Sequence, residues 1–94
     1  METKYTVKLT TQFRKDYKKV QKRGKNLVEL KFVVGQLANG IELDQQYHDH
    51  DLSGNWKGHR ECHIQPDWLL IYRVDNDVLV LTLTRTGTHS DLFG

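Results

Sequence analysis

All five histidines of this 94-residue chain, at positions 48, 50, 59, 63 and 89, fall in its second half. Imidazole is the side chain whose charge changes near neutral pH, so such a concentration points to proton transfer or metal ligation. In His48-Asp49-His50 an extended backbone would project both histidines to the same side. His63 and Asp67 flank Pro66, which places a strand-end histidine and a carboxylate across a tight turn, within hydrogen-bond reach. Acid–base catalysis needs such reach, and a carboxylate there would orient an imidazole. His89 stands in a polar tail, four residues before Phe93.

Three readings are open for these groups: solvated loop histidines, a metal site, or acid–base catalysis. The metal reading would add His63, Asp67 and His89 to the first pair, yet none of the compact zinc-ligand spacings occurs. The single cysteine, Cys62, cannot form an intrachain disulfide or a multi-cysteine zinc framework. It alternates with His63 and is expected to face the core. No metal or other cofactor is expected. Gly-rich phosphate loops, a nucleophile elbow and paired catalytic carboxylates have no persuasive counterpart here. Trp68 reads as core or as a stacking platform for a base. Arg85, at the end of a strand, reads as an ion pair or as a phosphate contact.

The net charge of +2 conceals an asymmetry. Residues 1–31 hold ten of the fourteen Lys and Arg against three acids (Glu2, Asp16, Glu29), a local +7, and residues 32–94 carry a local −5. A one-sided cluster of this kind suits contact with a polyanion such as a nucleic-acid backbone.

The elements that must position these groups follow from periodicity. Lys4 to Leu9 reads as a strand, with Thr10-Thr11 capping the helix that follows. Phe13, Tyr17 and Val20 recur at helical spacing, with Arg14, Lys15, Lys18, Lys19, Lys22 and Arg23 on the remaining faces. Gly24 ends this helix and Asn26 caps a second, whose apolar stripe is Leu27, Leu30, Val34 and Leu37. Asn39-Gly40 stops it. Residues 41–51 read as a loop with a short extended piece around His48 to His50. Trp56 to Ile64 reads as a strand, Trp68 to Tyr72 as a central strand apolar on both faces, and Val78 to Thr84 as its hairpin partner. In the tail, Leu92-Phe93 is an apolar anchor. The order β-α-α-β-β-β predicts an α+β domain, two N-terminal helices packed on an antiparallel sheet.

A chain of this length makes one domain, residues 1–94, with one core. No apolar run approaches the roughly 20 residues needed to span a bilayer, and no secretory signal follows Met1. A cytoplasmic protein without a membrane partner is expected.

Several separated motifs together resemble a known family. Tyr47-His48-Asp49-His50-Asp51-Leu52, then Gly54-Asn55-Trp56-Lys57-Gly58, then His63-Ile64-Gln65-Pro66-Asp67-Trp68, and the tail Arg85-Thr86-Gly87-Thr88-His89 with Leu92-Phe93-Gly94 closely resemble the YafQ branch of the RelE toxin superfamily. The likeness covers nearly the whole chain. It implies a toxin of a bacterial type II toxin–antitoxin pair, a ribosome-dependent endoribonuclease that enters the A site and cleaves the messenger RNA there. It implies catalytic roles for His50, His63, Asp67 and His89, and supporting aromatics at Trp68 and Phe93. In the chemistry it implies, the 2′-hydroxyl attacks the adjacent phosphorus and leaves a 2′,3′-cyclic phosphate. His50 would be the base, His89 the acid, His63 a stabiliser of phosphate charge, and Asp67 a group that orients a histidine. Lys15, Lys18, Lys19, Lys22 and Arg23 would grip ribosomal RNA. The implied protein partner is a cognate antitoxin, acidic where it covers residues 14–25.

The sequence departs from the family pattern at His48, His59 and Cys62, at Asp51 where proline is usual, and at Ser90-Asp91. Those departures leave His48 and His59 as bystanders or tuners. Rival readings are a ParE-like toxin that inhibits a topoisomerase by binding, and a basic RNA-binding module without chemistry. Clustered His50, His63, Asp67 and His89 in a concave site would favour the nuclease over the first, and loss of transcript cleavage in His50→Ala and His89→Ala would separate it from the second.

Overall fold

Helix α1 (Thr11–Lys22) starts where Thr10, in extended conformation, accepts the Phe13 amide on its hydroxyl at 2.9 Å, satisfying a free donor of the first turn. The computed structural model describes residues 3–94, so Glu2 lies outside it. Gly24, at φ +75°, reverses the chain. Asn26 then caps α2 (Leu27–Ala38) by accepting the Val28 amide at 3.0 Å. Both caps are the ones the sequence predicts. Phe13 and Val20 of α1, and Leu30 and Leu37 of α2, are buried as expected. Helix α2 is rolled slightly from the predicted stripe, so that Val33 is fully buried and Val34 only partly.

The strands are β1 (Thr6–Leu9), β2 (His50–Asp51), β3 (Arg60–Gln65), β4 (Trp68–Asp75) and β5 (Val80–Gly87), followed by a one-turn helix α3 (His89–Phe93). They form a single sheet in the order β1-β5-β4-β3-β2. The α+β class stands, with one difference in the sheet. It is mixed, because β1 runs parallel to β5 while all other pairs are antiparallel. Parallel pairing needs a long connection, and both helices and three strands lie between these two partners.

Two boundaries also differ. A 3-10 turn at Gly54–Trp56 and a positive φ of 91° at Gly58 delay β3 to Arg60. The β4–β5 turn takes in Val78 and Leu79, the latter at φ 53°, so β5 begins later and ends later than expected. Beyond it the polar tail forms α3, and only Leu92 of the expected apolar anchor is buried.

Side chains alternate across the sheet, so direct cross-strand partners share a face. Cys62 pairs with Leu70 and Arg60 with Tyr72, on the face covered by the helices. Glu61 pairs with Ile71 and His63 with Leu69, on the opposite face. There Leu69, Ile71 and Leu92 form a small second core with Leu52 and Trp56 against it. Strand β4 is buried on both faces, as a central strand should be.

One polar network is buried with the core. Asp16, in the middle of α1, accepts Arg85 Nε at 2.7 Å, Arg85 Nη2 at 3.2 Å and the Thr86 amide at 3.2 Å. The Thr86 hydroxyl donates to the Leu69 carbonyl at 2.7 Å and accepts Trp68 Nε1 at 3.0 Å. The Asp16→Ala variant would leave a guanidinium and an amide without their acceptor. Part of the Arg85 side chain reaches water, so the lower end of the buried-pair range applies, about 3 kcal/mol. Urea unfolding should show that loss; a change below about 1 kcal/mol would place the network outside the cooperative fold.

Candidate functional site

Strand β2 is only two residues long, and its placement depends on charged anchors on either side of His50. Asp49 accepts from the Tyr72 hydroxyl and pairs with Arg60 Nη2 at 3.1 Å. Asp51 pairs with Arg60 Nη1 at 2.5 Å. Burial, and then the bond to Asp49, push the Tyr72 hydroxyl well above its ordinary pKa, so it remains the donor. Burial works against charge on Arg60, but its bonds to Asp49 and Tyr72 outweigh that and keep its pKa raised. The residues flanking His50 are thereby both tied to Arg60 from the helix side of the sheet.

His50 lies directly opposite Glu61 on β3, and His63 follows Glu61 by two residues on the same face. Glu61 is 5% exposed. Its carboxylate stands 3.9 Å from His50 Nε2 and 3.5 Å from His63 Nε2. The other nitrogen of each ring faces a carbonyl, His50 Nδ1 at 3.0 Å from Asp51 O and His63 Nδ1 at 3.3 Å from Pro66 O. His48 sits in the left-handed region at φ 47°, which turns its ring to 5.6 Å from that of His63, centroid to centroid. These three histidines line an open cleft of about 830 Å³, with Glu29 and Tyr47 on its other walls.

On the far side of His63, its ring centroid lies 5.8 Å from that of His89. His89 is the first residue of α3, and Asp67 from the β3–β4 turn accepts both its backbone amide at 3.0 Å and its Nδ1–H at 2.7 Å. One carboxylate thus satisfies a free donor of the helix N-terminus and leaves Nε2 as the nitrogen available to a substrate. The backbone bond first, and the ring bond second, hold Asp67 below its usual pKa. Phe93 is 48% exposed, with its ring 6.4 Å from that of His89.

His50, His63, Asp67 and His89 therefore converge along one face. Two expectations need correction. Trp68 is 1% exposed, its ring inside the helix-side core and its Nε1 bonded to Thr86, so it cannot stack on a base. Arg85 is the ion-pair partner of Asp16, which commits its Nε and Nη2 away from any phosphate. His59 packs edge-on to Trp56 outside the cluster, while His48 lines the cleft. Cys62 is fully buried on the helix side, and burial first, then the charges of Asp49 and Glu61, raise its thiol pKa far from a reactive thiolate. Glu61 was not among the expected site residues, although its two-residue offset from His63 placed it on the same strand face.

Lys15, Lys18 and Lys22 are exposed on α1. Lys19 and Arg23 are also exposed, yet both pair with Asp91 of α3, at 3.3 and 2.5 Å. His50, Glu61 and His63 each offer one ligand atom within 4.8 Å of the others, a geometry that suits a metal ion. Compact sequence spacing does not show this set, because two strands supply it. Among the described residues, no helix is long and apolar enough to cross a membrane.

Comparison with known proteins places the chain. Residues 5–94 match the family described as "Bacterial toxin of type II toxin-antitoxin system, YafQ". The chain is 43% identical over 89 residues to the mRNA interferase toxin YafQ of Escherichia coli K12, covering 94% of this chain and 95% of that protein. Among solved structures, a chain of the E. coli DinJ-YafQ toxin–antitoxin complex superposes with a TM-score of 0.89 at 41% identity, covering 97% of this chain and 99% of that one. A metal-bound toxin from Helicobacter pylori superposes with a TM-score of 0.89 at 43% identity, covering 95% and 99%.

The depressed pKa of Asp67 sets a pH window. A carboxylate stabilised in the fold contributes fully above its unfolded value of about 3.9 and loses that contribution as pH falls through its lower folded value. Acidification from neutral to about pH 5 should therefore leave the Asp67–His89 amide bond intact. The His89 amide resonance in an NMR titration checks this, and loss of the bond above about pH 5 would contradict the geometry.

Proposed function

The chain belongs to the YafQ family of bacterial type II toxins, and from that premise we propose an endoribonuclease that cuts messenger RNA in the ribosomal A site by metal-free acid–base chemistry. The observation that carries this reading is the row His50, His63, His89 on one sheet face, with carboxylates Glu61 and Asp67 against it.

Cleavage of RNA through its own 2′-hydroxyl needs a base, an acid, and positive charge at the phosphoryl oxygens. His50 takes the 2′-hydroxyl proton, and the imidazolium so formed stands 3.9 Å from the Glu61 carboxylate. The 2′-oxygen bonds to phosphorus as the bond to the 5′-oxygen breaks, which leaves a 2′,3′-cyclic phosphate. His89 gives its Nε2 proton to the departing 5′-oxygen while Asp67 fixes the ring through Nδ1. His63, between them, carries positive charge beside the phosphate. Phe93 is the exposed aromatic on which a base can stack.

The exposed cations of α1, Lys15, Lys18 and Lys22 foremost, contact ribosomal RNA in this reading. The protein partner is a cognate antitoxin whose acidic surface covers residues 14–25, and the place of action is the cytoplasm. A ParE-like inhibitor acting by binding alone gives no reason for the ordered histidines.

Each proton-transfer group is worth about 10²–10⁴ in rate. His50→Ala and His89→Ala should each lower transcript cleavage on translating ribosomes by at least about a hundredfold. Primer extension in the presence and absence of translation reads the cleavage sites. Unaltered cleavage in both variants defeats the site assignment, and an inactive wild type defeats the enzyme.

A second reading rests on the same residues. Because His50, Glu61 and His63 can take a metal ion, and a toxin from H. pylori is metal-bound, a divalent transition metal would occupy the groups that the acid–base route needs free. Added zinc should then lower cleavage and a chelator should restore it. Activity lost with chelator and regained with zinc would instead make the metal part of the reaction.

A further inference from the structure

Helix α3 is five residues long, too short to hold its shape unaided, yet it begins with His89. Three contacts keep it in place. Leu92 is 9% exposed against Leu69 and Ile71. Asp67 holds the helix from the β3–β4 turn. The third is Asp91, which faces two ways. In a capping box its Oδ2 accepts the Thr88 amide at 3.0 Å, while the Thr88 hydroxyl accepts the Asp91 amide at 3.1 Å.

The same carboxylate reaches across to α1. Arg23 donates Nη1 to Oδ2 at 2.5 Å and Nη2 to Oδ1 at 3.2 Å, and Lys19 Nζ lies 3.3 Å from Oδ1. Arg23 is the C-cap of α1, where carbonyl ends favour a cation. A fork of two parallel bonds fixes direction as well as distance. The Arg23 bond first, then the Thr88 amide, holds the Asp91 carboxyl far below its usual range. Backbone closes the space behind it, because a Cβ on Gly87 would come within 2.9 Å of Asp91 Oδ2.

We propose that Asp91 is a positioning residue for RNA cleavage: through Arg23 and Lys19 it fastens α3 to the last turn of α1 and thereby sets where His89 stands. This rests on the reading of His89 as the general acid. Asp67 holds the His89 ring and amide from the β3–β4 turn, while Asp91 ties the helix that carries His89 to α1. Misplacing a reacting group by about 1 Å can cost about 10² in rate.

Glu and Gln both serve at the third position of a capping box. Asp91→Gln therefore keeps the cap and removes the ion pair, and Asp91→Glu keeps both. On translating ribosomes, Asp91→Gln should lower kcat about tenfold with KM unchanged, while Asp91→Glu stays near wild type. Arg23→Gln should reproduce the fall in kcat, and the double variant should fall no further. In Asp91→Gln the His89 Nδ1–H resonance should shift, which a merely stabilising contact would not produce. Equal kcat for Asp91→Gln and Asp91→Glu overturns the proposal, as does a lowered Tm with kcat and the His89 resonance unmoved. If neither Asp91 variant folds, Arg23→Gln decides, and an unchanged kcat there is equally fatal. A wild type that does not cleave sinks the nuclease reading instead, and the resonance alone then tests whether Asp91 places His89.

Discussion

The course of β5 beyond Leu83 depends on one buried carboxylate. Strand β1 covers β5 only as far as that residue, and past it the outer backbone groups of β5 have no neighbouring strand. Helix α1 supplies what the sheet does not. Its N-cap Thr10 donates to the Thr84 carbonyl at 2.8 Å, and Asp16, two turns on, takes the Thr86 amide and the Arg85 guanidinium. Thr86 relays the constraint to β4 through Trp68 and the Leu69 carbonyl. Gly87, Thr88 and His89 follow at once, so the place where α3 leaves the sheet is dictated by a residue on the other side of the core. Replacing the Asp16–Arg85 pair with apolar groups could retain stability, but it would lose this directional tie.

The sequence carried most of the scaffold because local signals agree with the tertiary result. Thr10 and Asn26 cap, Gly24 and Gly40 turn, and the unbroken apolar run from Trp68 to Tyr72 declares a central strand. Spacing plus resemblance found His50, His63, Asp67 and His89, which the fold brings to one face. What stayed hidden was long-range pairing. Asp16 is one of three acids among ten basic residues, Arg85 reads equally as an ion pair or a phosphate contact, and Asp91 reads as a departure from the family pattern. Each is half of a contact whose other half lies roughly seventy residues away, and no periodicity reports that. Trp68 was ambiguous for a different reason: an aromatic next to an exposed turn carboxylate can point either way, and strand parity sends this one inward.

The two faces of the sheet divide the work. The helix side holds nearly all the apolar burial. The other side has only a small apolar cluster and is left open for the histidines. Glu61 is the point at which these demands meet, a buried carboxylate bordered by two imidazoles. Its neighbours can accept protons or bind a cation, and the same three groups cannot do both at once.

The parallel pairing of β1 with β5 also bears on how the molecule assembles. Strands β3, β4 and β5 can close as successive hairpins, at small loop-closure cost, and with them come Glu61 and His63. Thr6 must find Val80, Asp16 must find Arg85, and Arg23 must find Asp91, each across most of the chain. Contacts of such high order are rewarded only after a large loss of chain entropy. On those grounds the β3–β4–β5 hairpins are expected to form before the N-terminal segment, β1 included, docks against them. Asp67 and Leu92 hold His89 and its helix within the hairpins, whereas the tie of Asp91 to Arg23 and Lys19 arrives only with that docking, so the last histidine of the row is the last to be fully fixed.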